Sequence, residues 1–488
     1  MSTQHVEVRP GAYADSVTLL QVSRDVAAVD GIRAVQVAMA TPLNLEVLES
    51  MGFAVPAATP NDMVVALSLE DEAALDRALA AVRAALDTTH RPPPAAGEVA
   101  PPRTTRSTVG PGDLVLVSVP GEHALTEAMD ALDAGCDVMV FSDNVPVAHE
   151  VALKQAATER GLLVMGPDCG TAVVGGLGLG FANGTSGGSG GIGIVAASGT
   201  GCQQVMCLLD AAGIGVTDAL GVGGRDLSAP VGGLSTRAAL ARLDADPAVM
   251  QVLVVSKPPA PEVAEALEEY AASLATPVRF LLLGAGRPDL TAGVEEALRA
   301  WDVSVPEWPT WGEAAPPSSG LVRGLFAGGT LCEEAVEIVA GSLGEVRSNL
   351  SDSPDADLDG FLTTDSHVLV DFGDDSLTRG RVHPMIDPTY RLEHLARVAA
   401  DPATGVVLLD VVLGHGAEAD PAGSLAPAIT AARAERDLPV VVSCVGTEAD
   451  PQGLTLQARA LADAGAEVHL SNAAAARRAV QVVSGGSR

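Results

Sequence analysis

The chain has 488 residues, enough for about three domains. Its net charge of -33 argues against a nucleic-acid-binding function and gives no attraction to anionic membranes, because both need basic surfaces. No apolar run reaches the roughly 18 residues that span a bilayer, the six cysteines are far apart, and the N-terminus does not resemble a signal peptide. We therefore expect a reduced, cytoplasmic protein.

Residues 1–88 alternate strands with helices, ending in an amphipathic helix at 70–86. This order predicts a small ferredoxin-like α+β domain. Residues 89–113 are rich in proline and nearly devoid of large apolar side chains, which predicts an extended linker.

Residues 114–190 then show a βαβαβ pattern with short turns, which predicts a parallel sheet covered by helices. Ligands of such sheets bind at the carboxyl ends of the strands. The candidate ligand-binding residues in the loops at these ends are Ser118, Gly121, Ser142, Asp143, Asn144, Gly166 and Pro167.

The stretch 191–210 reads as a buried strand at 192–197, a glycine turn, and a helix. Glycines at a helix start let the backbone approach a ligand, and the unpaired N–H groups with the helix dipole favour an anion such as phosphate. The candidate phosphate-binding residues are Ser198, Gly199, Thr200 and Gly201. A simple packing turn is the alternative.

The pattern of residues 191–317 recurs in residues 318–488. Leu-Ala-Arg followed by Asp-Pro occurs at 240–247 and again at 395–402, and the second copy opens with a glycine turn at Gly329 and Thr330. A duplicated α/β domain predicts two helix N-termini that can converge on one ligand.

Two cationic residues follow strands of the first copy. Lys257, one of only two lysines, is a candidate catalytic residue, and its alternative is an ordinary solvated strand end. Arg225, preceded by Gly223 and Gly224, is a candidate substrate-binding residue, although it could simply pair with Asp226.

The second copy contributes two candidate catalytic histidines. His383 lies in a basic segment of an acidic chain, and His415 lies between two glycines; a loop cap and a structural role are the alternatives. Cys169 and Cys202 lie in candidate loops, but a nucleophilic thiolate needs a nearby base or cation. Asp374 and Asp375 could bind Mg²⁺, but such a pair before a helix more often caps it, so no metal site is predicted.

Several strings carry a family resemblance. MGPDCGT at 165–171, GIVAASGTG at 193–201 and GVGGRD at 221–226 resemble the succinyl-CoA synthetase α-subunit. FSDNV at 141–145, GGRDLS at 223–228, VSKPPA at 255–260, FAGGTL at 326–331, HPMIDP at 383–388 and GTEADPQ at 446–452 resemble the FdrA family of acyl-CoA-synthetase-like proteins, over nearly the whole chain.

This resemblance implies an α/β fold with a Rossmann-like CoA-binding domain at 114–190 and two flavodoxin-like, synthetase-type domains at 191–317 and 318–488. It places Ser198 to Thr200 at the start of the phosphate-binding helix. It places Gly414 and Gly416, on either side of His415, where the synthetase β-subunit begins its opposing helix. No ATP-grasp domain is visible.

One departure from the synthetases is informative. The synthetase α-subunit carries phosphate on a histidine in a loop that here reads Gly284-Ala285-Gly286-Arg287, and no histidine lies between His149 and His367. A phosphohistidine relay at that loop is therefore ruled out. The synthetase's acidic residue at the preceding strand end is replaced by Ser256-Lys257, which favours direct binding of an anion.

FdrA-type proteins are associated with oxamate carbamoyltransferase, which exchanges a carbamoyl group between oxalurate and phosphate alongside partner subunits. The resemblance implies phosphate as a substrate, a small anionic second substrate and an oligomer, and it leaves CoA binding open. Lys257 or Arg225 would offset developing charge, and His383 or His415 would move the proton. The alternatives are a nucleotide-driven acyl-CoA ligase with a partner ATP-grasp subunit, and a noncatalytic subunit that senses CoA or an anion.

Overall fold

The computed structural model describes residues 3–14, 16–27, 29–71, 74–89, 104–186, 191–351, 358–378, 381–434 and 436–485. The chain forms two compact units. One comprises residues 1–103 with 379–382, and the other comprises residues 104–378 with 383–488.

The described part of the first unit is a three-stranded sheet with three helices. Its elements are β1 (Thr3–Arg9), α1 (Ser16–Ala27), β2 (Ile32–Met39), α2 (Pro42–Ser50), β3 (Met63–Leu69) and α3 (Leu75–Thr89). β3 lies between β1 and β2 and is antiparallel to both, so α1 joins two parallel strands across a third. This split βαβ arrangement is the ferredoxin-like pattern that the sequence predicts.

Two small cores cover the two faces of this sheet. Val26 of α1 and Val82 of α3 are buried together against Val65 of β3. On the other face, Leu48 of α2 packs with Phe53. The apolar alternation along the strands therefore supplies both faces.

The second unit begins with a parallel sheet in the order β4-β5-β6. Its elements are β4 (Leu114–Val117), α4 (Gly121–Asp133), β5 (Asp137–Val140), α5 (Val147–Arg160) and β6 (Val164–Met165). Of the predicted linker, residues 90–103 lie outside the described residues. Residues 104–113 contain a 3₁₀ turn at Thr105–Ser107, and Arg106 pairs there with Asp130 and Asp133 of α4, so this part is packed rather than extended.

A six-stranded sheet follows, in the order β12-β11-β9-β10-β7-β8, and we call residues 171–300 the first lobe. Its elements are β7 (Thr171–Val174), β8 (Leu177–Gly180), β9 (Ile192–Ala197), α6 (Gly199–Ala211), β10 (Val216–Gly221), α7 (Leu234–Ala245), β11 (Gln251–Ser256), α8 (Pro261–Ala271), β12 (Val278–Leu282) and α9 (Leu290–Ala300). β9 to β12 are parallel, whereas β7 is antiparallel to β10 and β8. The sheet therefore includes two strands that precede residue 191, where the sequence pattern places its first strand.

The second lobe, residues 310–485, is built on a seven-stranded sheet in the order β13-β19-β18-β17-β14-β16-β15. Its strands are β13 (Thr310–Trp311), β14 (Leu321–Phe326), β15 (Val346–Arg347), β16 (His367–Asp371), β17 (Thr404–Val412), β18 (Val440–Val445) and β19 (Glu467–His469). Its helices are α10 (Gly329–Leu343), α11 (Leu358–Leu362), α12 (Asp375–Thr378), α13 (Thr389–Ala400), α14 (Pro421–Arg433), α15 (Leu454–Asp463) and α16 (Asn472–Gly485). Only β13 is antiparallel to its neighbour among these described strands.

The two lobes share one topology, which confirms the predicted duplication. In chain order the four central strands are arranged 2-1-3-4 in both, as β10-β9-β11-β12 and as β16-β14-β17-β18. This is the flavodoxin-like order, in which ligands bind at the carboxyl ends of the first and third strands. The two lobes also share one core, with Leu208 of α6 and Leu331 of α10 in the same buried cluster.

Hydrogen bonds between the lobes fix their arrangement. Gln204 of α6 donates to the carbonyl oxygen of Leu470 over 3.2 Å and accepts from the Asn472 N–H over 2.9 Å. The Asn472 side chain donates to Glu334 of α10 over 2.7 Å. These groups are buried, so misalignment of α6 and α10 would leave them unpaired. Among the described residues no helix is long and apolar enough to cross a membrane.

Lys154 is fully buried and holds α5 against the first lobe. Its ammonium group lies 2.7 Å from a carboxylate oxygen of Glu150 and 2.7 Å from one of Asp226, and it donates to the Val222 carbonyl oxygen over 2.9 Å. Asp226 also accepts from Thr236. One of the two lysines of the chain is therefore structural.

We expect Lys154→Met to lower the free energy of unfolding by about 3–5 kcal/mol, because two buried carboxylates lose their shared cation. The measurement is urea unfolding followed by circular dichroism. The matched control is Arg299→Met, which removes an exposed pairing with Glu295 and should change stability by less than about 1 kcal/mol. Equal losses in the two variants would contradict the structural role of Lys154.

Candidate oxyanion-binding site

The first helix start of the site is the N-terminus of α6. Ser198 is its N-cap, with an extended backbone, and its hydroxyl oxygen accepts the Gly201 N–H over 2.9 Å. Within the described residues, the N–H groups of Gly199 and Thr200 have no protein acceptor. A methyl group at Gly199 would meet only the Thr171 hydroxyl oxygen, at 3.8 Å. The backbone is therefore open to a ligand here.

The second helix start is the N-terminus of α10. The carboxylate of Asp410, on β17, accepts the N–H groups of Ala327 and Gly328 over 2.7 and 2.8 Å. Arg391 of α13 pairs with the same carboxylate over 2.7 Å. In the described part of the chain, the next N–H groups, of Gly329 and Thr330, have no acceptor. Asp410 therefore fixes the turn that precedes α10, while the first two N–H groups of the helix remain available to a ligand.

The two helix starts touch each other. The hydroxyl oxygens of Ser198 and Thr330 are 2.6 Å apart, and both residues are buried. A methyl group on Gly328 would lie 2.9 Å from the Thr200 hydroxyl oxygen, so a glycine is needed for this approach. Two helix N-termini therefore meet, as the duplication predicts, and they are those of α6 and α10; that they share a ligand stays a prediction.

The predicted helix start at Gly414 and Gly416 is wrong. α14 begins at Pro421, where Asp420 caps it by accepting the Gly423 N–H. Proline is favoured at the first helical position, so the helix starts there and not at the glycines. Gly414 instead exchanges two hydrogen bonds with the side chain of Gln452, over 3.3 and 2.8 Å. The resemblance indicated this loop, whereas the internal repeat indicated Gly329 and Thr330.

A carboxyl group and an ammonium group border the start of α10. A methyl group at Gly329 would lie 2.6 Å from Asp371 Oδ2 and 3.3 Å from Lys257 Nζ. Asp371 ends β16 and is 5% exposed, and this burial raises its pKa to about 7, against the lowering effect of Lys257. The sequence singled out Lys257 but missed Asp371, whose only signal was its place at the end of a repeated strand.

His383 lies beside Asp371, and we call the region around Lys257, which Gly329, Asp371 and His383 border, the cleft. Burial, and then the charge of Arg391, lowers the pKa of His383 to about 4, so its ring is neutral at pH 7. Its Nδ1 accepts the Met385 N–H over 3.2 Å, which places the ring proton on Nε2. A methyl group at Gly373 would lie 2.6 Å from that Nε2 and 3.1 Å from Asp371 Oδ1. His383 therefore offers a neutral N–H donor beside Asp371.

Asp168 is the other ionisable residue of the cleft that the sequence missed. Its side chain is exposed, and its carboxyl group lies near the charges of Lys257 and Arg225. Loss of surrounding water, together with Asp375 and Asp143, raises the pKa of Asp168 to about 7, whereas Lys257 and Arg225 lower it. The cleft thus holds two carboxyl groups that titrate near neutrality.

His415 is exposed and lies in a different environment. Its N–H donates to the Ala182 carbonyl oxygen over 3.1 Å, and its ring lies against Gly178. No contact found in the described residues joins His415 to Lys257 or to either helix start. Of the two predicted histidines, only His383 borders the cleft.

The guanidinium group of Arg225 forms an ion pair and a hydrogen bond within the protein. It lies 3.0 Å from a Glu150 carboxylate oxygen and donates to the Val145 carbonyl oxygen over 2.8 Å. The alternative pairing with Asp226 is wrong, because Asp226 pairs with Lys154. Gly223 has a φ of +90° and packs on Pro167, whereas a methyl group at Gly224 would have no atom within 4 Å.

The candidate CoA loops follow the sheet β4-β5-β6. That order has no reversal among the described strands, so it lacks the switch point at which dinucleotide folds bind their ligands. Ser142 is used internally, because its hydroxyl oxygen accepts the Val119 N–H over 3.1 Å. Gly121 packs on Asp143 and Asn144, and Gly166 packs on Cys169. Only Asp143 and Asn144 of these residues, with Ser118 in part, face solvent.

The sequence also raised two cysteine nucleophiles and a Mg²⁺ site at Asp374 and Asp375 as alternatives. Burial raises the pKa of the Cys169 and Cys202 thiols to about 12, so neither is a thiolate nucleophile at pH 7. Asp374 accepts the N–H and hydroxyl of Ser376 at the start of α12, which is the capping role. Across the described ranges, no group of three or more His, Cys, Asp or Glu side chains could hold a metal ion.

Comparisons with known proteins place this chain in a family. The uncharacterized protein YahF of Escherichia coli (strain K12) is 36% identical over 489 residues, which cover 94% of this chain and 95% of YahF. The chain belongs to the YahF family. Residues 325–483 match the CoA-ligase family model, and residues 1–101 match the model of the AllF heavy metal-associated domain. The family is thus succinyl-CoA-synthetase-like and includes a CoA-ligase domain.

Two further similarities are more distant. The α-subunit of succinate–CoA ligase [ADP-forming] from Aquifex aeolicus (strain VF5) is 29% identical over 177 residues, covering 36% of this chain and 57% of that subunit. The dinucleotide-forming acetyl-coenzyme A synthetase 1 of Ca. Korarchaeum cryptofilum, in complex with phosphate and ADP, is 16% identical with a TM-score of 0.31, covering 81% of this chain and 90% of that one.

The name of the N-terminal family model implies a heavy metal, and the residues present do not fit one. None of the six cysteines of this YahF-family chain lies within residues 1–101, and the histidines there are His5 and His90. Thiolates are the ligands that best select soft metal ions, and this segment supplies none. We therefore derive no metal chemistry from this unit.

We expect Gly329→Ala to lower the affinity for sulfate at least tenfold, because its methyl group would occupy the space between Asp371 and Lys257. The measurement is calorimetric titration of the purified chain with sulfate. The matched control is Gly341→Ala in the same helix, where no atom lies within 4 Å of the new methyl group. Unchanged sulfate affinity in Gly329→Ala would place the anion elsewhere.

Proposed function

We propose that this chain is an FdrA-type enzyme subunit that transfers a carbamoyl or acyl group to or from phosphate directly. The best candidate reaction converts oxalurate and phosphate into oxamate and carbamoyl phosphate. The observation that carries the proposal is the meeting of the α6 and α10 starts beside Lys257, since such paired helix N-termini suit an oxyanion. Partner subunits and an oligomeric assembly belong to the same proposal.

The groups around the cleft match the needs of this chemistry. Attack of phosphate on a carbonyl needs a held nucleophile, a polarised carbonyl oxygen and a proton donor for the leaving nitrogen. The free N–H groups of Gly199, Thr200 and Gly329 can hold phosphate oxygens. Lys257 has no ion-pair partner within 4.0 Å among the described residues, so its charge is available for the oxyanion.

The state of His383 favours direct transfer over a phosphohistidine. A ring nitrogen attacks phosphorus with its lone pair, and the Nε2 of His383 carries a proton while Nδ1 is occupied by the Met385 N–H. The low pKa of His383 also keeps the ring from acting as a cationic acid. The histidine nearest the cleft is therefore a poor phosphoryl carrier.

The second candidate function is that of an acyl-CoA ligase subunit. It is favoured by the CoA-ligase family model at residues 325–483 and by the similarity to a succinate–CoA ligase α-subunit. In this case a partner subunit would supply the nucleotide-binding domain, and CoA would bind near Asp143 and Asn144.

We expect the complex isolated with the tagged chain from its native cells to cleave oxalurate only when phosphate is present, without ATP or CoA. Lys257→Met should reduce kcat/KM about 10- to 100-fold, because a charge-assisted contact to the oxyanion is lost. Arg279→Met, which removes an exposed cation of the neighbouring strand β12, should not. Strict dependence on ATP and CoA would reject the transferase in favour of the ligase.

We also expect no acid-labile phosphoenzyme after incubation of the complex with radiolabelled carbamoyl phosphate or ATP. The physical reason is the protonated Nε2 of His383. The measurement compares label retained at alkaline and acidic pH in the wild type and in His383→Gln. Alkali-stable label that disappears in His383→Gln would establish a phosphohistidine and overturn direct transfer.

A further inference from the structure

The carboxyl group of Asp371 is held in a defined orientation, with one oxygen directed at the start of α10. One carboxylate oxygen, Oδ1, accepts the Gly373 N–H over 2.8 Å, and the backbone of Asp371 exchanges two hydrogen bonds with Asn349 over 2.8 and 2.9 Å. These bonds fix the carboxyl group. Within the described residues the other oxygen, Oδ2, has no hydrogen-bond partner, and it points at the N-terminus of α10 beside Gly329.

Charged and titratable groups face Asp371 from every packed element. They are Lys257 after β11, Asp374 in the loop after β16, Asp410 on β17, His383 before α13 and Cys332 on α10. Asp410 is already neutralised by Arg391, and His383 and Cys332 are uncharged at pH 7. Lys257 is thus the cation that faces this carboxyl group.

An anion at the start of α10 would lie within contact distance of Asp371 Oδ2 and Lys257 Nζ. An ionised carboxylate would repel the anion, whereas a protonated carboxyl group would donate a hydrogen bond to it. We propose that Asp371 binds the oxyanion as the neutral acid and is the catalytic residue that protonates the leaving nitrogen. This inference rests on the proposed carbamoyl transfer.

The proton balance of the step is complete. An oxygen of hydrogen phosphate forms a bond to the carbamoyl carbon of oxalurate, and the bond from that carbon to the amide nitrogen of the leaving oxamate breaks. The electron pair of that bond remains on the nitrogen, which takes the Asp371 proton. The resulting carboxylate recovers a proton from the phosphate hydroxyl, so the products are carbamoyl phosphate and oxamate and the enzyme is regenerated.

The raised pKa of Asp371 supports this geometry, because an acid of pKa about 7 can both hold and release a proton at neutral pH. The neutral His383 ring cannot serve as a cationic acid. Asp168 titrates in the same range but does not border Gly329 in the contacts of the described residues, so it serves as the matched comparison.

The test is calorimetric titration with sulfate, whose charge is constant between pH 6 and 8, in two buffers of different ionisation enthalpy. At pH 7.5 we expect the wild type to take up a fraction of a proton per sulfate bound, and its affinity to fall as pH rises, approaching tenfold per unit above the pKa. Asp371→Asn should show no uptake and a flat profile. Asp168→Asn should keep most of the uptake.

The outcomes separate this inference from the function on which it rests. Failure of the wild type and both variants to bind sulfate would overturn the proposed oxyanion site itself. Sulfate binding without proton uptake, or uptake that persists in Asp371→Asn and is lost in Asp168→Asn, would overturn only the role of Asp371.

In the complex, the Asp371→Asn variant should have a kcat at least 100-fold below that of the wild type, while still binding sulfate at pH 6. Its amide oxygen can accept the Gly373 N–H, and circular dichroism checks that it folds.

Discussion

The hydrogen bond between Ser198 and Thr330 joins two helices whose positive ends face each other across the lobes. Without an anion this arrangement is electrostatically unfavourable, because like ends of two helix dipoles meet. The surrounding structure imposes it. Asp410 and Arg391 hold the turn before α10, and the buried amides of Gln204 and Asn472 lock the two lobes together. An oxyanion bound there would be attracted by both helix N-termini.

The charges of the cleft are consistent with such a ligand. The chain is strongly acidic and has only two lysines. Lys154 forms buried ion pairs with Glu150 and Asp226, whereas Lys257 lies beside the N-terminus of α10. Two carboxyl groups in the cleft, of Asp168 and Asp371, have pKa values near 7. Each is therefore partly protonated at pH 7, so the local charge is less negative than the composition suggests.

This chain shares some features with the succinyl-CoA synthetases and lacks others. The CoA-ligase domain and the duplicated lobes keep the paired helix starts, while the loop at Gly284 to Arg287 carries no histidine. The short parallel sheet β4-β5-β6 lacks a topological switch point in its described strands. The paired helix N-termini are therefore present in this chain, whereas the described strands of its short parallel sheet lack the strand reversal at which nucleotides bind in related folds.

The sequence by itself determined the local elements and the duplication. The strand at Ile192–Ala197, the Ser198 cap and the helix after it follow from apolar periodicity and capping chemistry, which act over a few residues. The repeat also predicted that two helix starts converge. Only the tertiary structure decided which helix meets α6, and it selected α10 over the loop at Gly414.

The tertiary structure also decided which side chains share the cleft. Lys257, Gly329 and Asp371 end or follow strands far apart in the chain, and their proximity depends on the packing of one lobe on the other. The pKa values of Asp371, His383 and Cys169 depend on burial, which local sequence does not encode. Long-range packing sets both distance and desolvation, and for that reason the acid proposed at Asp371 could not be read from the sequence.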